Sequence, residues 1–178
     1  MKKLILLLPI LISVATFGQA TKQENKPLSK IEAISEKSGE LQKKEYQDLG
    51  KVAGVKFQVL TITNIVNNTQ VRGLRMEYTG YGTYASTIIA FLDADEFDGL
   101  IKTFDYCLTT VVTAAPPDND VEYNFRSRDG FSAGAFNYKG KWRGYVKLEQ
   151  YDSRSQSDFD VDDMKKIKDL LEVAKSKL

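Results

Sequence analysis

Residues 91–112, FLDADEFDGLIKTFDYCLTTVV, carry the clearest structural signal in the chain. Their apolar side chains step by four, three, four and three positions, which places them on one face of an α-helix: Phe97, Ile101, Phe104, Leu108 and Val111. Asp93 is a favourable N-cap, and Glu96 follows three residues later as a capping-box partner. The stretch therefore predicts an amphipathic helix that begins at Asp93. The residues that it should bury are Phe97, Ile101, Phe104 and Leu108.

A second helix of the same kind closes the chain. The sequence FDVDDM at residues 159–164 repeats the pattern of LDADEF at residues 92–97. We expect this helix to begin at Asp160, which is again an N-cap residue. The residues that it should bury are Met164, Ile167, Leu171 and Ala174. The recurrence indicates a degenerate internal repeat.

Strands are predicted in front of both helices, because apolar and polar residues alternate there with a period of two. Residues 40–92 contain four such segments, and residues 121–151 contain three, with a hairpin at Asp129-Gly130. Residues 152–158 are predicted to form a polar loop. Pro116-Pro117 separates the two halves.

The predicted fold class is α+β, with two antiparallel β-meanders that are each followed by an amphipathic helix (ββββα-βββα). A single domain is expected over residues 40–178, because a chain of 178 residues has one core more often than two. Its halves are residues 40–115 and 118–178. Residues 21–39 are predicted to be mainly a polar lead-in linker, in which Ile31 and Ile34 could support a short helical turn.

The N-terminal sequence MKKLILLLPILISVATFGQA, residues 1–20, has the features of a secretory signal peptide. It starts with two lysines, continues with an apolar run too short to span a bilayer with margin, and ends in small residues. We expect cleavage between Gln19 and Lys22. No cysteine lies near that site, which argues against a lipoprotein. The mature chain is therefore predicted to be exported, soluble, without a transmembrane segment, and periplasmic or extracellular.

Composition argues against several functional classes. The chain has 25 basic and 24 acidic residues, so its net charge of +1 gives no broad attraction to nucleic acid or to an anionic membrane. It contains no histidine and one cysteine, which argues against catalytic triads, His-ligated zinc and disulfides. We therefore predict no cofactor, no metal and no nucleic-acid partner.

Residues 130–134, GFSAG, match the G-x-S-x-G nucleophile motif. That motif needs a turn from strand into helix and a histidine base, whereas Ser132 lies in a predicted strand of a chain without histidine. We interpret the match as coincidental. Gly134 is predicted to mark a bulge or a close contact with a helix.

Carboxylates are concentrated at the two predicted helix starts. Oxygen ligands at this density could hold Ca²⁺, but the EF-hand spacing fails because Phe97 occupies the fifth loop position and Gly99 comes one residue late. Helix capping and the helix dipole account for the same residues. We favour capping and leave calcium as the alternative.

Two groups of residues are candidates for recognition. Tyr81 and Tyr84 lie at a glycine-rich turn, where aromatic side chains either contact a sugar or protein partner or pair across the sheet. In the second meander, basic and aromatic residues are interleaved, as in either a solvated sheet face or a surface for an anionic glycan or protein. The candidate binding residues are Tyr81, Tyr84, Arg126, Arg128, Lys141, Trp142 and Arg143.

Cys107 lies on the apolar face of the first helix. A single thiol at such a position is typical of a small core residue, and a reactive or intermolecular thiol is the alternative.

The functional hypothesis from these observations is an exported, non-enzymatic binding domain that acts on an envelope protein or glycan. The first alternative is a carrier that encloses a small apolar or glycan ligand. A less favoured alternative is a hydrolase that uses two carboxylates.

Overall fold

The structure, a computed structural model, describes residues 29–80 and 86–178. The predicted signal peptide lies outside the described residues, and so do Tyr81 and Tyr84. Within the described ranges, no helix combines the length and the hydropathy that crossing a membrane requires.

The described residues form two four-stranded antiparallel sheets and three α-helices, with short 3-10 and π-helical segments between them. The first sheet has the order β1 (Gln42–Val52), β2 (Val55–Asn64), β3 (Gln70–Thr79) and β4 (Thr87–Asp93). The second has the order β5 (Glu122–Arg126), β6 (Ser132–Tyr138), β7 (Lys141–Lys147) and β8 (Gln156–Phe159). The helices are α1 (Lys30–Ser35), α2 (Phe97–Tyr106) and α3 (Val161–Lys175). The predicted α+β class, with two meanders that are each followed by an amphipathic helix, is confirmed.

The second meander has one strand more than the sequence predicts. The last three residues of the predicted polar loop at residues 152–158 belong to β8, so the order becomes ββββα-ββββα. Ser155 is fully buried, and its hydroxyl group donates to the Asp152 carbonyl oxygen, 2.6 Å away, which closes the turn before the strand. Ser157 faces the core and donates to the Ala53 carbonyl oxygen. Ser157 occupies a buried position where alternation would place an apolar residue, so the sequence pattern did not predict the strand.

One hydrophobic core joins both halves of the chain. It contains Phe57 and Leu74 from the first sheet, Ala133 from the second, Phe104 from α2 and Leu171 from α3. Removing these apolar side chains from water is the main stabilising contribution, and neither sheet could obtain it without the helices. The two halves therefore form a single domain with two sheets.

The predicted buried face of α2 is confirmed for Phe97, Ile101 and Phe104, but Leu108 is only half-buried. The helix continues as one π-helical turn, Cys107–Val111, in which the Val112 N–H donates to the Cys107 carbonyl oxygen at 2.9 Å. A π turn contains more residues than an α turn, so it rotates the following side chains relative to the core. Cys107 and Val111 are buried as a result, and Leu108 lies at the margin.

The predicted start and buried face of α3 are both confirmed. The Asp160 carboxylate accepts the backbone N–H of Asp163 at 2.9 Å, which satisfies one free amide of the first turn. All four predicted residues are buried, namely Met164, Ile167, Leu171 and Ala174.

Part of the predicted linker is an ordered component of the domain. Helix α1 packs on the face of the first sheet that α2 and α3 leave open, where Ile31 contacts Leu60 and Ile62. Gly73 makes this contact possible, because a Cβ atom there would lie 2.3 Å from Cδ1 of Ile31. The helix contains the short turn that Ile31 and Ile34 could support, but two isoleucines form too short a pattern to predict its packing on the sheet.

Asp93 connects three separate parts of the chain. Its carboxylate is 1 % exposed and accepts the backbone N–H groups of Lys30 at 2.8 Å and Ile31 at 3.3 Å, so it caps α1 from a distance in sequence. It also accepts a hydrogen bond from the Arg128 guanidinium group. The Glu96 carboxylate accepts the Asp93 N–H at 3.2 Å and the Arg128 N–H at 2.7 Å. We call these five residues the Asp93 clamp.

Candidate binding surface on the second sheet

The strand register divides the second sheet into two faces. Ala133 and Val146 are direct cross-strand neighbours in the core, so the residues that alternate with them lie on the opposite side. We call that side the outer face. Its members are Glu122, Asn124, Arg126, Ser132, Gly134, Phe136, Tyr138, Lys141, Arg143, Tyr145, Lys147, Gln156 and Asp158.

The structure brings three of the predicted binding residues together on this face: Arg126, Lys141 and Arg143. Lys147 adds a fourth cation. It lies in the same cross-strand row as Arg126, because Ser132 pairs with both residues. None of these four side chains forms a hydrogen bond or an ion pair with another residue in the described part of the chain. Elsewhere Arg75, Arg128 and Arg154 are each paired with carboxylates. The outer face therefore presents four cations that form no ion pair with a described residue. Asp160 and Asp152 interact with Arg143 and Lys147 only at longer range.

The outer face contains an open cleft of about 480 Å³. Residues from all four strands line it, among them Glu122, Phe136, Tyr138, Tyr145 and Gln156. Tyr138 is 55 % exposed, so an aromatic ring is presented to solvent beside the cleft. The volume falls within the range of known small-molecule sites.

Tyr145 forms the floor of this cleft and is only 4 % exposed. Gly134 is the cross-strand neighbour of Tyr145. Only glycine fits at this position, because a Cβ atom there would lie 1.8 Å from the Tyr123 carbonyl oxygen. The predicted close approach at Gly134 is therefore present, but it is to the neighbouring strand instead of a helix. The Phe136 ring meets Tyr145 edge-on, with 5.9 Å between centroids.

The Tyr145 hydroxyl group donates to the Glu122 carboxylate. Burial raises the pKa of Tyr145 well above its ordinary value, and the negative charge of Glu122 raises it further. Tyr145 therefore stays protonated at physiological pH and holds Glu122 in place at the side of the cleft.

Asn137 organises the rim of the cleft and was not anticipated from the sequence. Its Nδ2 atom donates to the carbonyl oxygens of Pro117 at 3.0 Å and Asn119 at 2.9 Å. Its Oδ1 atom accepts the Val121 N–H at 2.6 Å. One side chain thus fixes the segment that leads into β5. The only sequence signal for this role is an asparagine at a core-facing strand position.

Trp142 does not join the other candidate residues, because it lies on the core-facing side of β7. Its Nε1 atom donates to the Ala114 carbonyl oxygen at 2.9 Å, and its ring lies 6.0 Å from that of Tyr123. The indole therefore fixes the segment after α2 against the second sheet. We do not include Trp142 in the candidate surface.

Arg128 is also separate from the outer face, because it belongs to the loop between β5 and β6. Its guanidinium group contacts Asp93 and, at 3.2 Å, Asp95. The hydrogen bond that Arg128 donates to the Asp95 carboxylate raises the pKa of Arg128, and the negative charge of Glu96 raises it further. Arg128 is thus a member of the Asp93 clamp with carboxylates already in place.

The predicted Asp129-Gly130 hairpin is a docked loop instead of a free two-residue turn. The Asp129 carboxylate accepts the backbone N–H of Phe91 at 3.0 Å, at the edge of β4. Gly130 adopts a φ of 87°, which a residue with a side chain rarely adopts. The loop therefore joins the second sheet to the edge of the first.

Ser132 lies inside β6 and is 6 % exposed, so the residues GFSAG do not form a turn from strand into helix. Cys107 is fully buried in the core. Burial raises its pKa to about 11, which favours the unreactive thiol. The position of Ser132 fits the interpretation of GFSAG as a coincidental match. The burial of Cys107 fits the interpretation of this thiol as a small core residue.

The acidic residues at the helix starts have amide or cationic partners. Asp95 contacts Lys30 and Arg128, and Asp160 accepts an amide of the first turn of α3. Among the described residues, no three acidic or cysteine side chains come together in a group that could hold a metal ion.

Two carboxylates on the outer face are far apart. Glu122 lies on β5 and Asp158 on β8, at opposite edges of the sheet. Three strand spacings separate them, about 14 Å. A glycoside hydrolase needs its two carboxyl groups about 5–9.5 Å apart. Glu122 and Asp158 are therefore too far apart to act as such a pair.

No protein-family model, curated protein or solved structure matches this chain.

Proposed function

We propose that this chain is an exported, non-enzymatic binding domain that attaches to another component of the cell envelope through the outer face of its second sheet. The observation that carries the proposal is the group of Arg126, Lys141, Arg143 and Lys147, which have no ion-pair partner among the described residues and share the outer face with an open cleft. Unpaired cations on one surface attract an anionic partner and fix its register.

The form of the cleft favours a binding domain over a carrier. A carrier buries most of its ligand in an enclosed, largely apolar cavity. The cleft on the outer face opens to solvent and has Glu122 and Gln156 in its wall beside Phe136 and Tyr145. Such a surface holds part of a larger partner while the rest stays in water.

Sedimentation with an envelope preparation from the source cells tests the proposal. The double variant Lys141→Gln/Arg143→Gln should reduce the affinity of the processed chain at least about tenfold, because each lost charge-assisted contact contributes about 1 kcal/mol or more. The matched control is Lys51→Gln/Lys102→Gln, which removes the same charge from exposed cations on β1 and α2. Equal retention of both variants would contradict the proposal, and so would equal loss.

Export is tested separately by the intact mass of the protein from a cell-envelope fraction. We expect a mature N-terminus between Gln19 and Lys22, because the small residues there follow the apolar run of the leader. A full-length species found in the cytosol would refute export.

A further inference from the structure

The cations of the outer face are arranged in a line. Lys141, Arg143, Tyr145 and Lys147 are successive outward residues of β7, so neighbours are about 6.6 Å apart along the strand. The three cations among them span about 20 Å. Arg126 lies beside this line, two strand spacings from Lys147, or about 9.5 Å. Charges spread over such a length suit a chain of regularly spaced anions better than one compact ion.

Two of the cations have an aromatic residue directly across the sheet. Tyr138 pairs with Lys141, and Phe136 pairs with Arg143. Lys139 lies over the Tyr138 ring, with its Nζ atom 5.0 Å from the centroid, and so helps to position that ring. Each pair combines a positive charge with an apolar aromatic surface. A sugar unit that carries a carboxylate has the matching combination, an anionic group beside the apolar C–H face of its ring.

Hydrogen-bond acceptors are placed among the cations. Glu122 is held by Tyr145, and Gln156 lines the same cleft. Their oxygen atoms suit ligand hydroxyl groups, which donate hydrogen bonds. A carboxylate at this position repels the anionic groups of a polysaccharide and of a nucleic acid alike, but the polysaccharide supplies many more hydroxyl donors in compensation. The mixture of acceptors and cations therefore favours a hydroxyl-rich polyanion.

We propose, on the basis of the proposed binding function, that the outer face binds a linear anionic polysaccharide whose sugar units carry carboxylate groups. The chain follows β7, its carboxylates contact Lys141, Arg143 and Lys147, and one sugar ring packs on Tyr138 in the cleft. Arg126 contacts the same chain from the side.

Calorimetric titration of the processed protein with polygalacturonate tests this inference. Polygalacturonate should bind, and its methyl-esterified form should bind at least about tenfold more weakly, because esterification removes the charge and keeps the ring. This comparison uses the unchanged protein, so it does not depend on the folding of a variant. Equal binding of the two polymers would overturn the inference.

Variants then locate the site. Lys141→Gln/Arg143→Gln should weaken polygalacturonate binding at least about tenfold, and Tyr138→Ala about three- to tenfold, whereas Lys51→Gln/Lys102→Gln should leave it within about twofold. Single-stranded DNA should bind more weakly than polygalacturonate at equal charge concentration. DNA binding of equal strength would overturn the inference. If envelope sedimentation remains sensitive to Lys141 and Arg143 while polygalacturonate fails to bind, the ligand class is wrong and the proposed function stands. If envelope sedimentation is also insensitive to Lys141 and Arg143, both the ligand class and the proposed function are rejected.

Discussion

Replacement of Asp93 by alanine is expected to lower the free energy of unfolding by about 3–5 kcal/mol, because it removes a buried, charged acceptor from several donors at once. The N–H groups of Lys30 and Ile31 would lose the carboxylate oxygens that lie 2.8 and 3.3 Å away. Arg128 would lose its most buried partner. Chemical denaturation monitored by circular dichroism would give the change in stability.

Asp95 provides a matched control for this prediction. It contacts the same two cationic residues, Lys30 at 2.8 Å and Arg128 at 3.2 Å, but its side chain is 48 % exposed. Solvent screens such ion pairs, so Asp95→Ala should cost less than about 1 kcal/mol. A similar cost for the two alanine variants would show that the backbone contacts of Asp93 are not important. Release of α1 in the Asp93 variant should also appear as faster amide exchange near Ile31.

Replacement of Phe104 by alanine is expected to cost about 3–5 kcal/mol, because it leaves a cavity where α2 meets the rest of the core. The side chain is 1 % exposed, and the core around it contains residues from both sheets and from α3. The surrounding structure cannot close such a cavity by moving one element. Equilibrium unfolding in urea would measure the loss.

Leu108, one turn further along the same helix, is the control. Its predicted burial is incomplete because the π turn at Cys107–Val111 moves it to the margin of the core. Leu108→Ala should therefore cost about 1 kcal/mol, since less apolar surface is removed from contact. Equal effects at Phe104 and Leu108 would mean that the π turn does not change the buried face. A loss below about 1 kcal/mol for Phe104→Ala would remove this residue from the core.

The candidate site was only partly predictable, because a sequence pattern identifies residue types and not the faces that they occupy. The interleaved basic and aromatic residues of the second meander did indicate Arg126, Lys141 and Arg143, which share the outer face. Trp142 was included for the same reason, but strand alternation places it on the core side. The buried side of this sheet is marked by the core positions Ala133, Ala135 and Val146. Those residues are small or separated by glycines, which weakens their pattern.

Local physics determined the elements that the sequence specified by itself. The spacing of apolar residues determines α2 and α3, and the Asp160 N-cap begins α3, since both signals depend on residues three or four positions apart. Alternation with a period of two determines seven of the eight strands in the same way.

The remaining features depend on contacts between residues far apart in the chain, and the tertiary structure alone decided them. The sequence predicts Asp93 as the cap of the helix that follows it. In the structure its carboxylate contacts Lys30, 63 positions earlier, and Arg128, 35 positions later. Helix α1 is ordered because Gly73 leaves room for Ile31, and β8 forms because the core accepts Ser157 beside Ala53. A short segment gains too little from its own hydrogen bonds to offset the loss of conformational entropy, so its structure depends on burial against distant partners. The line of unpaired cations likewise exists only because strand pairing turns alternate residues of β7 to one side.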